Sequence, residues 1–410
     1  MKMQKCGRWM ASLALVCMFA QNAARPDDAP AKPARPRVEV VFCIDTTGSM
    51  SGLIAAAQQK VWSIVNGIAS GKPVPEVKVG LVAYRDKKEA YVTEITELTT
   101  DLDSIHQKLF ALKAQGGGDA PEHVNQALAD AVNRISWSAK GDKVFRVIFL
   151  VGDAPPHMDY ADDVKYMETC KAAVLKDVVI NTVRCGSDAS TETTWKDIAN
   201  RSEGQYTSIS QDGGVQVIAT PYDGKLAEMS GKLVGTGVYG GRKELQQEAQ
   251  RRQSAAMEEA SEAAKGKDAG KLAVAADKSE FRAKSARAAG EAGAPAAPAL
   301  SSMGMGDAVG EADLVSAFAR DRDKALAGKK AEELPGEMQK MSEDERKEFL
   351  AKKAAERADI QKQIDELSRQ RAEHIQNELK KRGSGDKGFD AVVLKMLQEQ
   401  GEKKGIDYQK

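Results

Sequence analysis

The sequence predicts an α/β fold, a doubly wound and mostly parallel sheet with an antiparallel edge strand, on three observations. Strand-length apolar runs alternate with stretches of helical period from Val38 to about Gly240. The central runs are almost continuously apolar, as strands covered on both faces of a parallel sheet must be. Two of them, Val38–Ile44 and Phe145–Val151, stop at Asp45 and at Gly152–Asp153. Those are the carboxyl ends of strands, where open parallel sheets hold ligands.

The elements follow in order. A helix over about 52–69 carries Leu53, Ala57, Val61, Ile64 and Ile68 on one stripe. KVGLVAYR reads as the next strand, and YVTEITELT alternates apolar and polar residues as a half-exposed edge strand does. The short charged turn Asp86–Glu89 makes the pair an antiparallel hairpin. Helices are expected over 101–113 and 122–134, then near 163–175 and 194–201, with VVINTV and QYTSI supplying later strands.

The turn after the first strand carries the chemistry. Asp45, Thr47 and Ser49 stand at alternate positions between strand and helix, turning one carboxylate and two hydroxyls into one hollow. Hard oxygen donors of this kind suit a hard divalent cation such as Mg²⁺, with water or a ligand completing the octahedron. The same residue types also cap helices, so a purely structural N-cap is the alternative. GGGDAPE, Gly116–Glu122, offers a tight loop and a further carboxylate, Asp119, and FRVIFLVGDAPPH ends in Asp153.

In these three loops the sequence resembles the von Willebrand factor type A (VWA) family. That family's metal-ion-dependent adhesion site has Asp-x-Ser/Thr-x-Ser in its first loop, a Thr in its second and an Asp after a buried strand in its third. The match is Asp45, Thr47 and Ser49, then position 119, then Asp153. Asp119 departs from the usual Thr. The resemblance covers roughly half of the chain and implies a Rossmann-like VWA fold over 38–240. It also implies a bound Mg²⁺, with Ca²⁺ or Mn²⁺ as alternatives, and a protein partner that supplies an acidic side chain. A third carboxylate at Asp119 would hold the cation more firmly and leave it less charge for an acidic ligand. Asp119 turned outward as a helix cap is the alternative.

The rest of the 410 residues divides by composition. Residues 1–24 read as a signal peptide: Lys2, Lys5 and Arg8 precede the apolar run Trp9–Ala20, which is shorter than the ~20 residues that span a bilayer. Export to the periplasm or the extracellular space is the expectation. Val16 before Cys17 argues against lipid attachment there, and no membrane span remains after cleavage. Residues 25–37 form a Pro-rich linker. Residues 241–312, rich in Ala, Lys, Glu, Gly and Ser, read as a flexible low-complexity linker. Residues 313–410 look helical again. Ser342 and Glu345 make a capping box before a helix with Ile360, Ile364, Leu367, Ile375 and Leu379 on one stripe. The stripe breaks at Arg371, which argues against a long coiled coil and for a hairpin with Phe389–Leu397 packing back. Of the cysteines beyond the signal, Cys43 reads as a core residue, and Cys170 and Cys185 are candidates for a disulfide.

The 60 basic and 60 acidic side chains cancel, so no global charge draws the chain to nucleic acid or membrane. No phosphate-binding Gly-rich loop and no nucleophile elbow is present. Of the four histidines only His123 and His157 follow metal loops, where helix-start packing and loop hydrogen bonding are the expected roles. The expectation is a metal-dependent binding module and not an enzyme. The alternatives are a metal-assisted hydrolase and an assembly protein that binds its partner through the C-terminal helices.

Overall fold

The structure, a computed structural model, describes residues 35–118, 121–291, 307–382 and 388–408. The predicted signal peptide, Cys17, most of the Pro-rich linker and Asp119 lie outside the described residues.

A six-stranded sheet in the order β3-β2-β1-β4-β5-β6 forms the centre. Its strands are β1 (Arg37–Asp45), β2 (Glu76–Tyr84), β3 (Thr93–Thr99), β4 (Val144–Gly152), β5 (Val178–Cys185) and β6 (Tyr206–Ile209). All neighbours pair in parallel except β3, which runs antiparallel to β2 at the edge. The half-polar pattern of β3 puts it there, because only an edge strand shows a face to water.

Alternation along the central strands feeds two cores. Val38, Val40, Phe42 and Ile44 of β1, with Phe145, Val147, Phe149 and Val151 of β4, face one side. Val41 and Cys43, with Ile148 and Leu150, face the other. The first side is covered by α1 (Ser51–Ile68) and α2 (Leu102–Ala111). The second is covered by α3 (Val124–Asn133), α4 (Tyr166–Leu175) and α5 (Ala189–Arg201). Cys43 is buried in the second core, as its place in an apolar strand predicts.

The candidate disulfide does not form. Cys170 on α4 is buried in the second core and Cys185, at the end of β5, in the first, so the sheet stands between the thiols, which are free.

The expected flexible linker over 241–312 is also corrected. Within it run α7 (Lys243–Lys265), α8 (Ala269–Gly290) and α9 (Asp307–Ala312). Residues 292–306, which hold both of its prolines, lie outside the described residues. These helices join α6 (Asp223–Gly235) and α10 (Leu314–Arg320) under the 40-residue α11 (Glu343–Arg382). Alanines line much of their core, Ala249, Ala256, Ala276, Ala283, Ala286 and Ala312 among them, which lets backbones approach closely while contributing little hydropathy. Composition alone therefore resembles that of a linker. Phe281, the sole aromatic residue of the segment, packs on Trp62 of α1 with ring centroids 5.7 Å apart.

The capping box is present: Ser342 N donates to Glu345 Oε2 at 2.7 Å, and Glu345 N donates to Ser342 Oγ at 3.3 Å. The hairpin is not. The last helix, α12 (Phe389–Glu402), lies on the sheet's first face beside α1, with Phe389 6.1 Å from Phe42. Asn181 of β5 and Gln400 exchange two amide hydrogen bonds of 2.9 and 2.8 Å, and Lys60 pairs with Asp390 at 2.9 Å. The apolar side of α12, with Phe389, Val393, Met396 and Leu397, completes the sheet's own core. Among the described residues no helix is long and apolar enough to cross a membrane.

Candidate metal centre

Parallel pairing of β1 with β4 brings the two strand-end acids together. The register Ile44↔Val151 sets Asp45 level with Gly152, so Asp153 follows one residue beyond. Gly152 is needed for this approach: a Cβ there would lie 2.5 Å from the Tyr84 hydroxyl and 3.1 Å from Asp45 Cβ. In the first loop Thr47 donates to Asp45 Oδ1 twice, from its backbone N at 2.8 Å and from its hydroxyl at 2.7 Å. Ser49 Oγ lies 3.4 Å from Thr47 Oγ1, at the exposed mouth. The oxygens of Asp45, Thr47 and Ser49 thus lie side by side in this loop.

The second loop closes over the first. Gly116 and Gly117 have φ of +81° and +89°, conformations open to glycine. Gly48 N donates to Gly116 O at 3.2 Å, and Gln115 N to Thr46 O at 3.1 Å. Glu122 is stitched to the third loop, its N donating to Pro155 O at 2.9 Å and its O accepting from His157 N at 3.1 Å.

The electrostatics are one-sided. Asp45 is fully buried, and its Oδ2 has no hydrogen-bond partner among the described residues; the same holds for Glu122 Oε2 and Glu89 Oε2. No lysine or arginine forms an ion pair with Asp45, Glu89, Glu122 or Asp153 among the described residues. Arg85, close to the first loop, spends its guanidinium on Thr46 Oγ1 and Lys113 O. Burial pushes the Asp45 carboxyl up to about 7, against the two Thr47 hydrogen bonds and with added repulsion from Asp153 and Glu89. Burial lifts Glu122 further, to about 9, with Asp45, Asp86, Glu89 and Asp153 adding to it.

A buried carboxylate oxygen with no partner, beside two hydroxyls and a ring of acids, is a donor set that a divalent cation fits. Among the described residues no three carboxylate, imidazole or thiolate groups are placed to hold a metal by themselves. A site here therefore draws on the hydroxyls as well as the acids. The sequence reading missed Glu122 and Glu89. Glu122 closes the quoted GGGDAPE stretch and Glu89 the charged turn, but only the fold turns either toward Asp45.

The two histidines pack as expected. His123 is buried against Tyr160, edge to face at 5.1 Å, and His157 stacks on the same ring at 4.1 Å. His157 Nδ1 lies 2.8 Å from Asp159 Oδ1.

The domain that carries these loops is similar to known proteins. Residues 39–221 match the family model for the von Willebrand factor A domain. An ariadne-like RING finger protein of Acanthamoeba polyphaga mimivirus is 26% identical over 120 residues, 29% of this chain and 11% of that protein. The von Willebrand factor A domain-containing protein 7 of Rattus norvegicus is 39% identical over 93 residues, 23% of this chain and 10% of that protein. The chain thus spans about a tenth of the length of these curated relatives. Among solved structures, the SpRpn10 VWA domain aligns over 43% of this chain and 89% of its own, at 16% identity and a TM-score of 0.33. Residues 39–221 belong to the von Willebrand factor A domain family.

Proposed function

We propose that this chain is an exported, non-catalytic binding module in which a divalent cation, Mg²⁺ foremost, mediates recognition of a protein partner. Asp45, Thr47, Ser49 and Asp153 would hold the cation, with Asp119 as a further donor in the second loop. One observation carries the reading: Asp45 Oδ2 is buried, unpartnered among the described residues, and surrounded by acids with no neutralising side chain. Burying a carboxylate without a partner is costly, and a bound cation removes that cost. When bound, the cation would supply a Lewis-acid position for a carboxylate from the partner. Thr47 fixes Asp45 through two hydrogen bonds, and Ser49 stands at the open side, where a partner can approach. His123 and His157 are committed to packing on Tyr160, which supports a binding role over proton transfer.

Titration calorimetry with Mg²⁺, Mn²⁺ and Ca²⁺ tests the site: saturable binding that Asp153→Ala abolishes is expected. A pull-down from the envelope fraction with and without chelator tests the function, with partners expected only in the presence of the cation. Metal-dependent turnover of a phosphoester, ester or peptide that Asp153→Ala abolishes would overturn the non-catalytic reading.

A further inference from the structure

We infer that Gln211 is a positioning residue of the cation site, tying the third metal loop to the first through its side-chain amide. The inference rests on the cation-site reading above. Gln211 lies in the connection between β6 and α6, outside the three loops that the sequence marks. Its Nε2 donates to Asp153 Oδ2 at 2.7 Å and to the Ser49 carbonyl at 3.2 Å. An amide nitrogen has two N–H bonds, so one group serves both loops. The reverse orientation would set the amide oxygen against a carboxylate and a carbonyl, both acceptors, so the donor orientation is the stable one.

The arrangement has a chemical logic. A hydrogen bond to a carboxylate fixes one oxygen and leaves the other for a cation or its water. A lysine or arginine in this place would neutralise Asp153 and repel the cation. A neutral amide orients the acid without cancelling its charge.

The connecting loop that presents Gln211 is itself held in place. Ser210 Oγ donates to Asp212 Oδ1 at 2.6 Å, and Gly214 N to the same oxygen at 3.0 Å. Gly213 O accepts from Phe389 N at 3.0 Å, which fastens the loop to the start of α12. Gly186, at the end of β5, leaves room for the amide, since a Cβ there would collide with Gln211 Oε1.

Mn²⁺ binding to the full chain tests this, with wild type beside Gln211→Ala and Gln211→Met, the second keeping side-chain length without a donor. The expected result is Mn²⁺ affinity weaker by about 10- to 100-fold in both variants, the usual effect of losing such a support. A broadened Mn²⁺ electron paramagnetic resonance signal and a metal-free melting temperature equal to wild type should accompany it. Unchanged affinity would overturn the inference. So would tighter binding, because Gln211 would then compete with the cation for Asp153. A lowered metal-free melting temperature with affinity intact would reduce Gln211 to a structural strap and also overturn it. Wild type taking up no Mn²⁺ would overturn the cation-site reading itself, an outcome distinct from the others.

Discussion

Two regions of this molecule bury carboxylates, and they treat them in opposite ways. In the helical layer each has its cation built in: Asp313 pairs with Arg357 at 2.6 Å, and Asp223 and Asp277 share Arg371 at 2.7 and 2.6 Å. Asp103, which joins α2 to α8, holds Lys278 at 2.6 Å and Arg282 at 3.1 Å. At the strand ends Asp45, Glu89 and Glu122 have no such partner among the described residues. At Asp103, Asp45 and Glu122 the direction of the shift follows this contrast. Lys278 and Arg282 outweigh burial and hold Asp103 below its ordinary value, whereas burial and like charge raise Asp45 and Glu122. Asp277 is raised, because its burial outweighs Arg371. The helical layer uses charge for register and docking; the strand ends leave a charge deficit for something from outside.

The largest effect should come from opening a built-in pair. Arg357 donates to Asp313, to Ser316 Oγ at 2.9 Å and to Thr236 Oγ1 at 2.8 Å, all buried. Arg357→Ala leaves Asp313 buried with one charge partner fewer and should cost about 3–5 kcal/mol, read by denaturant unfolding. A cost near zero would mean that the helical pairs are incidental and the contrast with the strand ends empty.

Removing an acid at the strand ends should do the reverse. Asp45→Asn keeps an oxygen for the two Thr47 hydrogen bonds and removes a buried charge, so the metal-free protein should melt at or above the wild-type temperature near pH 8. Cation binding should be lost. A large drop in metal-free stability would make Asp45 a structural cap.

The pH response should separate the regions more finely. Asp45 and Glu122 have folded values of about 7 and about 9, above those of an unfolded carboxyl. Between ordinary and raised values the folded chain keeps protons that the unfolded chain has released. Stability therefore falls as pH rises through that window. In chelator the melting temperature should be lower at pH 8 than at pH 5, and Asp45→Asn should shrink the difference. Cation affinity should rise over the same range, because binding displaces these protons.

How much of this was legible in the sequence follows from what each region is made of. Apolar runs such as Val38–Ile44 report their strands directly, and Asp45 and Asp153 announce themselves by ending them. The docked helices 243–290 did not, because alanine contributes little to an apolar pattern while packing tightly, and because Lys278, Arg282 and Arg371 are buried through pairing. Arg371 interrupts the apolar stripe of its helix, and its partners Asp223 and Asp277 lie far away in sequence. Glu89 and Gln211 reach the three loops, and Glu122 reaches Asp45 from the end of its own loop, only through tertiary approach, which no spacing in the chain encodes.

The smallest effect should come from a pair that resembles the buried ones chemically and differs in exposure. Arg369 on α11 contacts Glu366 and Glu373, each at 2.6 Å, and all three side chains are more than half exposed. Its nearest bond lengths equal those of Arg357 with Asp313, so distance does not distinguish the two sites. Water does: an exposed pair exchanges hydration for a contact of similar strength and is screened by salt. Arg369→Ala should leave the melting temperature indistinguishable from wild type at physiological salt, whereas Arg357→Ala shifts it strongly. If the two variants lost comparable stability, burial would not be what separates charges that hold this protein together from charges that merely solvate it. The unpartnered oxygens of Asp45 and Glu122 would then lose their meaning as a demand for a cation.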